Sequence, residues 1–90
     1  MKLMLGLIFA ICLLYGQGTP ADDRIYDQVR MKLAGDRDVN GGGIEVIVKN
    51  GVVTLQGKVH KEKQKQRAEH LTKKVKGVTN VVNSLKVELP

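Results

Sequence analysis

The chain has no tryptophan, one phenylalanine, two tyrosines and a single cysteine. Phe9, Cys12 and Tyr15 all belong to an apolar N-terminal run, which leaves Tyr26 as the one aromatic ring beyond it. Binders of single-stranded nucleic acid stack bases on rings set along a groove, and one ring does not make such a platform. The GxxG clamp of small RNA-binding domains is missing as well. Past Cys12 there is no thiol, so that part of the chain forms no disulfide, offers no thiol nucleophile and presents no cysteine to a metal. Its stability rests on packing alone, which gives a domain of this size a small core and a modest margin.

Chemistry-bearing clusters are equally scarce. His60 and His70 are the only histidines, and on one helix they are rotated roughly 80° from each other, too far for a compact pair of ligands. Neither "HKEK" nor "AEHL" supplies the further ligands that a metal site needs. Both rings read as solvated groups that gain charge in an acidic compartment. Carboxylates pair at Asp22 and Asp23 and at Asp36 and Asp38, the first at a helix start and the second in a loop. Catalytic pairs need a pocket that perturbs one member, and a small sheet without insertions offers little concave volume. Ser84 and the threonines have no base near them in the pattern. The expectation is a protein without catalytic residues, metal or cofactor.

What is present begins with the leader. In "MKLMLGLIFAICLLYGQGTPADD" one lysine precedes an apolar run from Leu3 to Tyr15, followed by small and polar residues. That is the pattern of a secretory signal peptide. The run is about 13 residues, whereas a membrane-spanning helix needs roughly 20. Residues 1–21 are therefore assigned to a cleaved leader, with cleavage after Gly18 or after Ala21, and residues 22–90 to one domain. Cys12 lies inside the apolar run and not at its end, which argues against a lipid-attachment cysteine.

The 90 residues carry 15 Lys and Arg against 9 Asp and Glu, a net charge of +6, and loss of Lys2 with the leader lowers it by one. An excess of this sign favours anionic partners such as phospholipid headgroups, nucleic acid or acidic glycans, and it also serves simply to keep a small protein soluble.

From Asp22 to Ala34, Ile25, Val29 and Leu33 recur every fourth residue, with Tyr26 beside them, which predicts an amphipathic helix. Asp22 and Asp23 stand where they can cap its start, and Gly35 where it should stop. "GDRDVNGGG" follows. Its glycines lack the strand before, the helix after and the closing Lys-Ser or Lys-Thr of a phosphate-binding loop, so it reads as a flexible connection. "IEVIVKNGVVTLQGKV" holds two alternating runs that meet at Asn50-Gly51, a pair suited to a two-residue hairpin turn. Ile44, Val46 and Val48 share a face with Val53, Leu55 and Val59, and Gly57 leaves a gap in that row where a helix could approach. "HKEKQKQRAEHLTKKVKGV" predicts a second helix with a narrow stripe of Ala68, Leu71, Val75 and Val78, ended by Gly77. "TNVVNSLKVEL" predicts a third strand, with Val81, Leu85, Val87 and Leu89 on one face. The order is αββαβ, an α+β fold with two helices packed on one face of a three-stranded sheet.

These segments in this order resemble the BON domain of bacterial envelope proteins. The resemblance runs from about Arg24 to Leu89 and is most specific in "NGVVTLQG" and "GVTNVVNSLKV". It implies the same αββαβ fold, export to the periplasm or beyond, and a non-enzymatic binding role in the cell envelope, with association to phospholipid membranes as the leading proposal and a place among stress-response proteins. It transfers no catalytic residue, and it makes Gly51, Gly57 and Gly77 architectural. Many members carry two such domains, whereas this sequence holds one, so a lone copy is expected to bind weakly, to oligomerise or to act as an adaptor.

For the contact itself the basic residues of the second helix are the candidates: Lys61, Lys63, Lys65, Arg67, Lys73 and Lys74. Each cation near an anionic membrane contributes on the order of 1 kcal/mol, so five or six on one surface give reversible attachment without insertion. They circle the polar side of the helix, and no Trp or Phe anchors them at the interface. Arg30, Lys32 and Arg37 form a smaller second patch. The alternative is a protein-protein adaptor or chaperone-like module using the outer sheet face at Ile47, Val52 and Val82, or the sheet edges. Added salt separates the two, since only headgroup binding weakens steeply. An exported chain would rarely meet nucleic acid.

Overall fold

The computed structural model describes residues 19–39 and 43–89. The apolar run and most of the assigned leader lie outside the described residues, as do Asn40, Gly41 and Gly42 of the glycine-rich connection. The order is α1 (Pro20–Gly35), β1 (Ile44–Lys49), β2 (Val52–Val59), α2 (Glu62–Lys73) and β3 (Asn80–Val87). The strands form one mixed sheet in the order β1-β2-β3, with β1 antiparallel and β3 parallel to the central strand. This is the αββαβ arrangement that the hydrophobic periodicity predicts.

Helix α1 begins one turn earlier than the acidic pair suggests. Thr19 is its N-cap and accepts a 3.0 Å hydrogen bond from the Asp22 amide through Oγ1, with Pro20 in the first turn where its missing N–H costs nothing. Of the two candidate cleavage positions, the one after Gly18 retains this cap and the one after Ala21 removes it. Ile25, Val29 and Leu33 are buried as the fourfold spacing requires. Asp22 is buried too, and its partners are distant: Oδ2 accepts from the Asn50 amide at 2.9 Å and Oδ1 from the Gly51 amide at 3.0 Å.

The hairpin turns at Asn50 and Gly51 with φ of 50° and 79°. Two successive positive φ values make the turn that matches strand twist, and the Asn-Gly pair adopts them at low cost. Val46 opposes Leu55 and Val48 opposes Val53, so the alternating apolar residues fall on the helix side, where Val53 and Leu55 are fully enclosed. Gly57 has a different role from the one its place in the core row suggests. Its φ is +124°, and it faces the backbone of Gly43 and Ile44, where a Cβ would run into the Gly43 carbonyl. The close approach comes from the incoming loop and not from a helix.

Helix α2 stops at Lys73, four residues short of Gly77. Val75 and Val78 occupy the turn that follows, and Val75 still reaches the core at 4 % exposure. Inside the helix the buried side chains are Ala68 and Thr72. Thr72 is enclosed because its hydroxyl donates to the Ala68 carbonyl at 2.7 Å, which satisfies the only polar atom it carries. Thr72→Val should therefore change the denaturation free energy by no more than about 1 kcal/mol, because shape is kept and no partner is orphaned. A urea titration checks it. On β3 the apolar row tapers outward: Leu85 is buried and Val81 half-buried, but Val87 and Leu89 are exposed, the latter at 86 %. The two helices do not extend over that end of the strand.

Candidate functional site

The basic residues of the second helix separate into two groups once the helix is drawn at 100° per residue. Lys63, Arg67, His70 and Lys74 fall within an arc of roughly 60°. Lys65 and Lys73 lie on the opposite flank, beside Glu62 and Glu69. Lys61 precedes the helix in extended conformation as its N-cap residue. Its side chain has no acceptor for the free amides of the first turn, while Gln64 reaches back to the residues before the helix, its Oε1 accepting from the His60 and Lys61 amides at 2.8 and 2.9 Å.

These cations are not equally available. Arg67 is committed: its Nε and Nη2 donate to Oδ2 of Asp36 at 3.1 and 3.0 Å. The other oxygen of Asp36 accepts from the Asp38 and Val39 amides at 3.0 and 3.2 Å. The carboxylate is thus fully used, and the Arg67 hydrogen bond, assisted by the two backbone amides, holds its pKa below the ordinary carboxylate range. This pair joins α2 to the segment that leaves α1, so Arg67 has a structural task independent of any ligand. Lys73 pairs with Glu69 one turn before it at 3.0 Å, and that contact, with a hydrogen bond from Asn83, lowers the Glu69 pKa. Lys61, Lys63, Lys65 and Lys74 make no ion pair among the described residues. Lys61, Lys63 and Lys74 are exposed, whereas Lys65 is half-buried.

The smaller patch is less coherent. Arg30 donates to the Tyr26 hydroxyl at 2.9 Å and lies 5.6 Å from the ring centroid, an internal cation–π contact along α1. Lys32 and Arg37 are exposed.

A shallow cleft of about 190 Å³ lies at the far end of the hairpin, lined by Val39, Gly43, Ile44, Lys58, Val59, His60 and Gln64. Its polar groups are largely occupied. Gln64 caps α2 and also donates to the Asp38 carbonyl at 3.1 Å, while His60 Nδ1 lies 3.1 Å from the Glu88 carbonyl. No nucleophile and base converge there. Among the described residues no group of three or more His, Cys, Asp or Glu is placed to hold a metal, and no helix is long and apolar enough to cross a membrane.

Sequence reasoning finds the cations of α2 but not the Arg67–Asp36 tie, which joins residues far apart in the chain. Nor does it find Asn83, whose Nδ2 donates to the Lys65 carbonyl at 2.9 Å and fixes α2 to β3. An asparagine at an inward position of a strand is the one signal that could have marked it.

Compared with known proteins, residues 21–88 match the family model described as BON domain. Osmotically-inducible protein Y of Escherichia coli (strain K12) is 35% identical to this chain over 72 residues, covering 80% of the chain and 36% of the relative. The chain thus spans little more than a third of that protein's length.

Proposed function

The chain belongs to the BON domain family, and from that premise we propose that it is an exported, non-enzymatic binding module of the cell envelope that attaches to anionic phospholipid surfaces through α2. The observation that carries this reading is the set of exposed cations at Lys61, Lys63 and Lys74, which make no ion pair among the described residues, together with Arg67 and His70 along the same flank of α2. Lys65 and Lys73 add charge from the second flank. The leader pattern supports a periplasmic or secreted location with peripheral attachment. Osmotic induction, which the name of the E. coli relative records, is extended here to a role in envelope stress.

Co-sedimentation with anionic and with neutral liposomes at low and high salt tests the reading. Binding is expected to anionic vesicles alone and to fade with salt. Charge reversal at Lys61, Lys63 and Lys74 together should lower the partition coefficient by roughly a hundredfold or more, at about 1 kcal/mol for each cation lost. Arg67→Ala is the wrong probe, because it also leaves Asp36 unpaired. Binding to neither vesicle, or binding indifferent to salt and to the triple reversal, would remove the membrane surface from consideration. An adaptor role in the envelope has one observation in its favour: on the outer sheet face Ile47, Thr54 and Val82 stand in one register row, with Val82 42 % exposed.

A further inference from the structure

The two edges of the sheet are treated differently. The Glu88 amide bonds to the Val59 carbonyl, so the amides of even-numbered residues in β3 face β2 and those of odd-numbered residues face outward. Two of these outward amides are already engaged, Val81 by Asn80 Oδ1 at 2.9 Å and Leu85 by Asn83 Oδ1 at 3.2 Å. Asparagine side chains blunt that edge against strand addition. On β1 the two-residue turn makes Lys49 and Val52 a hydrogen-bonded pair, and by alternation Val46 and Val48 direct their N–H and C=O groups away from β2. Neither has a hydrogen-bond partner among the described residues beyond β2. The strand contains no proline, and its two charges both lie on the outer face.

Neither charge takes part in an ion pair among the described residues. Glu45 stands opposite Gln56 and Lys49 opposite Val52, both uncharged. They are complementary to each other in a second copy. When β1 runs antiparallel to another β1 with Ile47 at the two-fold axis, Glu45 of each copy faces Lys49 of the other and Val46 faces Val48. In that register Val46 and Val48 are the hydrogen-bonding residues, so four main-chain hydrogen bonds form, and the half-buried Ile47 and Val48 gain apolar neighbours. Shifting the register by one pair in either direction places a charge against Ile47.

We propose that β1 is a homodimerisation edge at which two copies pair antiparallel about Ile47, in a register set by reciprocal Glu45–Lys49 contacts, to give a continuous six-stranded sheet. The dimer would present two α2 surfaces, but the proposal stands apart from what those surfaces bind.

Sedimentation equilibrium of the chain from Thr19 onward tests it, with three variants on the exposed face at positions whose intrachain partners, Gln56 and Val52, carry no charge. A monomer–dimer equilibrium is expected for the unaltered chain. Glu45→Lys and Lys49→Glu each set like charges opposite one another twice, so each should weaken association by about tenfold or more. The double exchange Glu45→Lys with Lys49→Glu restores both contacts and should restore the dimer, an outcome that loss of folding cannot imitate. A monomer at every concentration overturns the proposal. So does a dimer that the single reversals leave intact, or one that the double exchange fails to rescue.

Discussion

Gly57→Ala is expected to cost about 3 kcal/mol or more, a large part of the stability that a domain this small possesses. Two effects act together. At φ of +124° an L side chain is strained whatever the space around it, and the added methyl would also meet the Gly43 carbonyl, with the carbonyl carbon 3.4 Å away. Relief requires backbone to move, because no flexible side chain stands in the way. Gly43→Ala is the matched control. Its nearest neighbour is the Lys58 carbonyl at 3.7 Å, an ordinary contact, so a change within about 1 kcal/mol is expected. Urea midpoints for the two variants decide the matter, and equal midpoints would mean that the loop yields where the geometry says it is fixed.

Asp22→Ala ranks second, with a drop in Tm on the order of 10 °C. The carboxylate spans α1 and the hairpin turn, and without it the Asn50 and Gly51 amides lose their acceptor, the Gly51 bond being buried. Asp22→Asn keeps one acceptor oxygen and should fall between. The two turn amides, aided by Thr19, hold the Asp22 pKa below its ordinary value against the opposing effect of burial. A depressed carboxylate stabilises the fold fully above its unfolded pKa of about 3.9, and the contribution fades as pH falls through the lower folded value. Asp36 and Glu69 are shifted in the same direction and act in the same acid window. Thermal melts at neutral pH and near pH 3 should therefore differ less for Asp22→Ala than for the unaltered chain. An equal difference would show that Asp22 titrates alike in the folded and unfolded states.

The parts of the fold that rest on local periodicity are legible in the sequence. Ile25, Val29 and Leu33 mark one helical stripe, and Asn50-Gly51 marks a turn whose register then fixes every inward residue of β1 and β2. The features that escape are made by residues distant in the chain. Nothing near Asp22 indicates that its carboxylate leaves the helix it begins and closes a turn. The spacing of Val75 and Val78 continues the α2 stripe and conceals that the helix has ended, because both side chains still face inward from the connecting turn. The candidate site divides in the same way. Composition identifies the cations of α2, but only the fold distinguishes Arg67, tied to Asp36, from Lys63 and Lys74, which remain free of ion pairs among the described residues.

The parallel pairing of β2 with β3 bears on the timing of folding. The hairpin can close as soon as Val59 is available, yet the central strand keeps one edge unpaired until Val87 arrives from the far side of α2. Such distant pairing is slow, since loop closure must precede any return from the contacts. A chain delivered N-terminus first could thus close its hairpin early, but the central strand would keep one edge open until β3 had followed. For a polypeptide delivered from one end, completion of the sheet therefore waits on its last strand, and the early hairpin holds the place where that strand will dock.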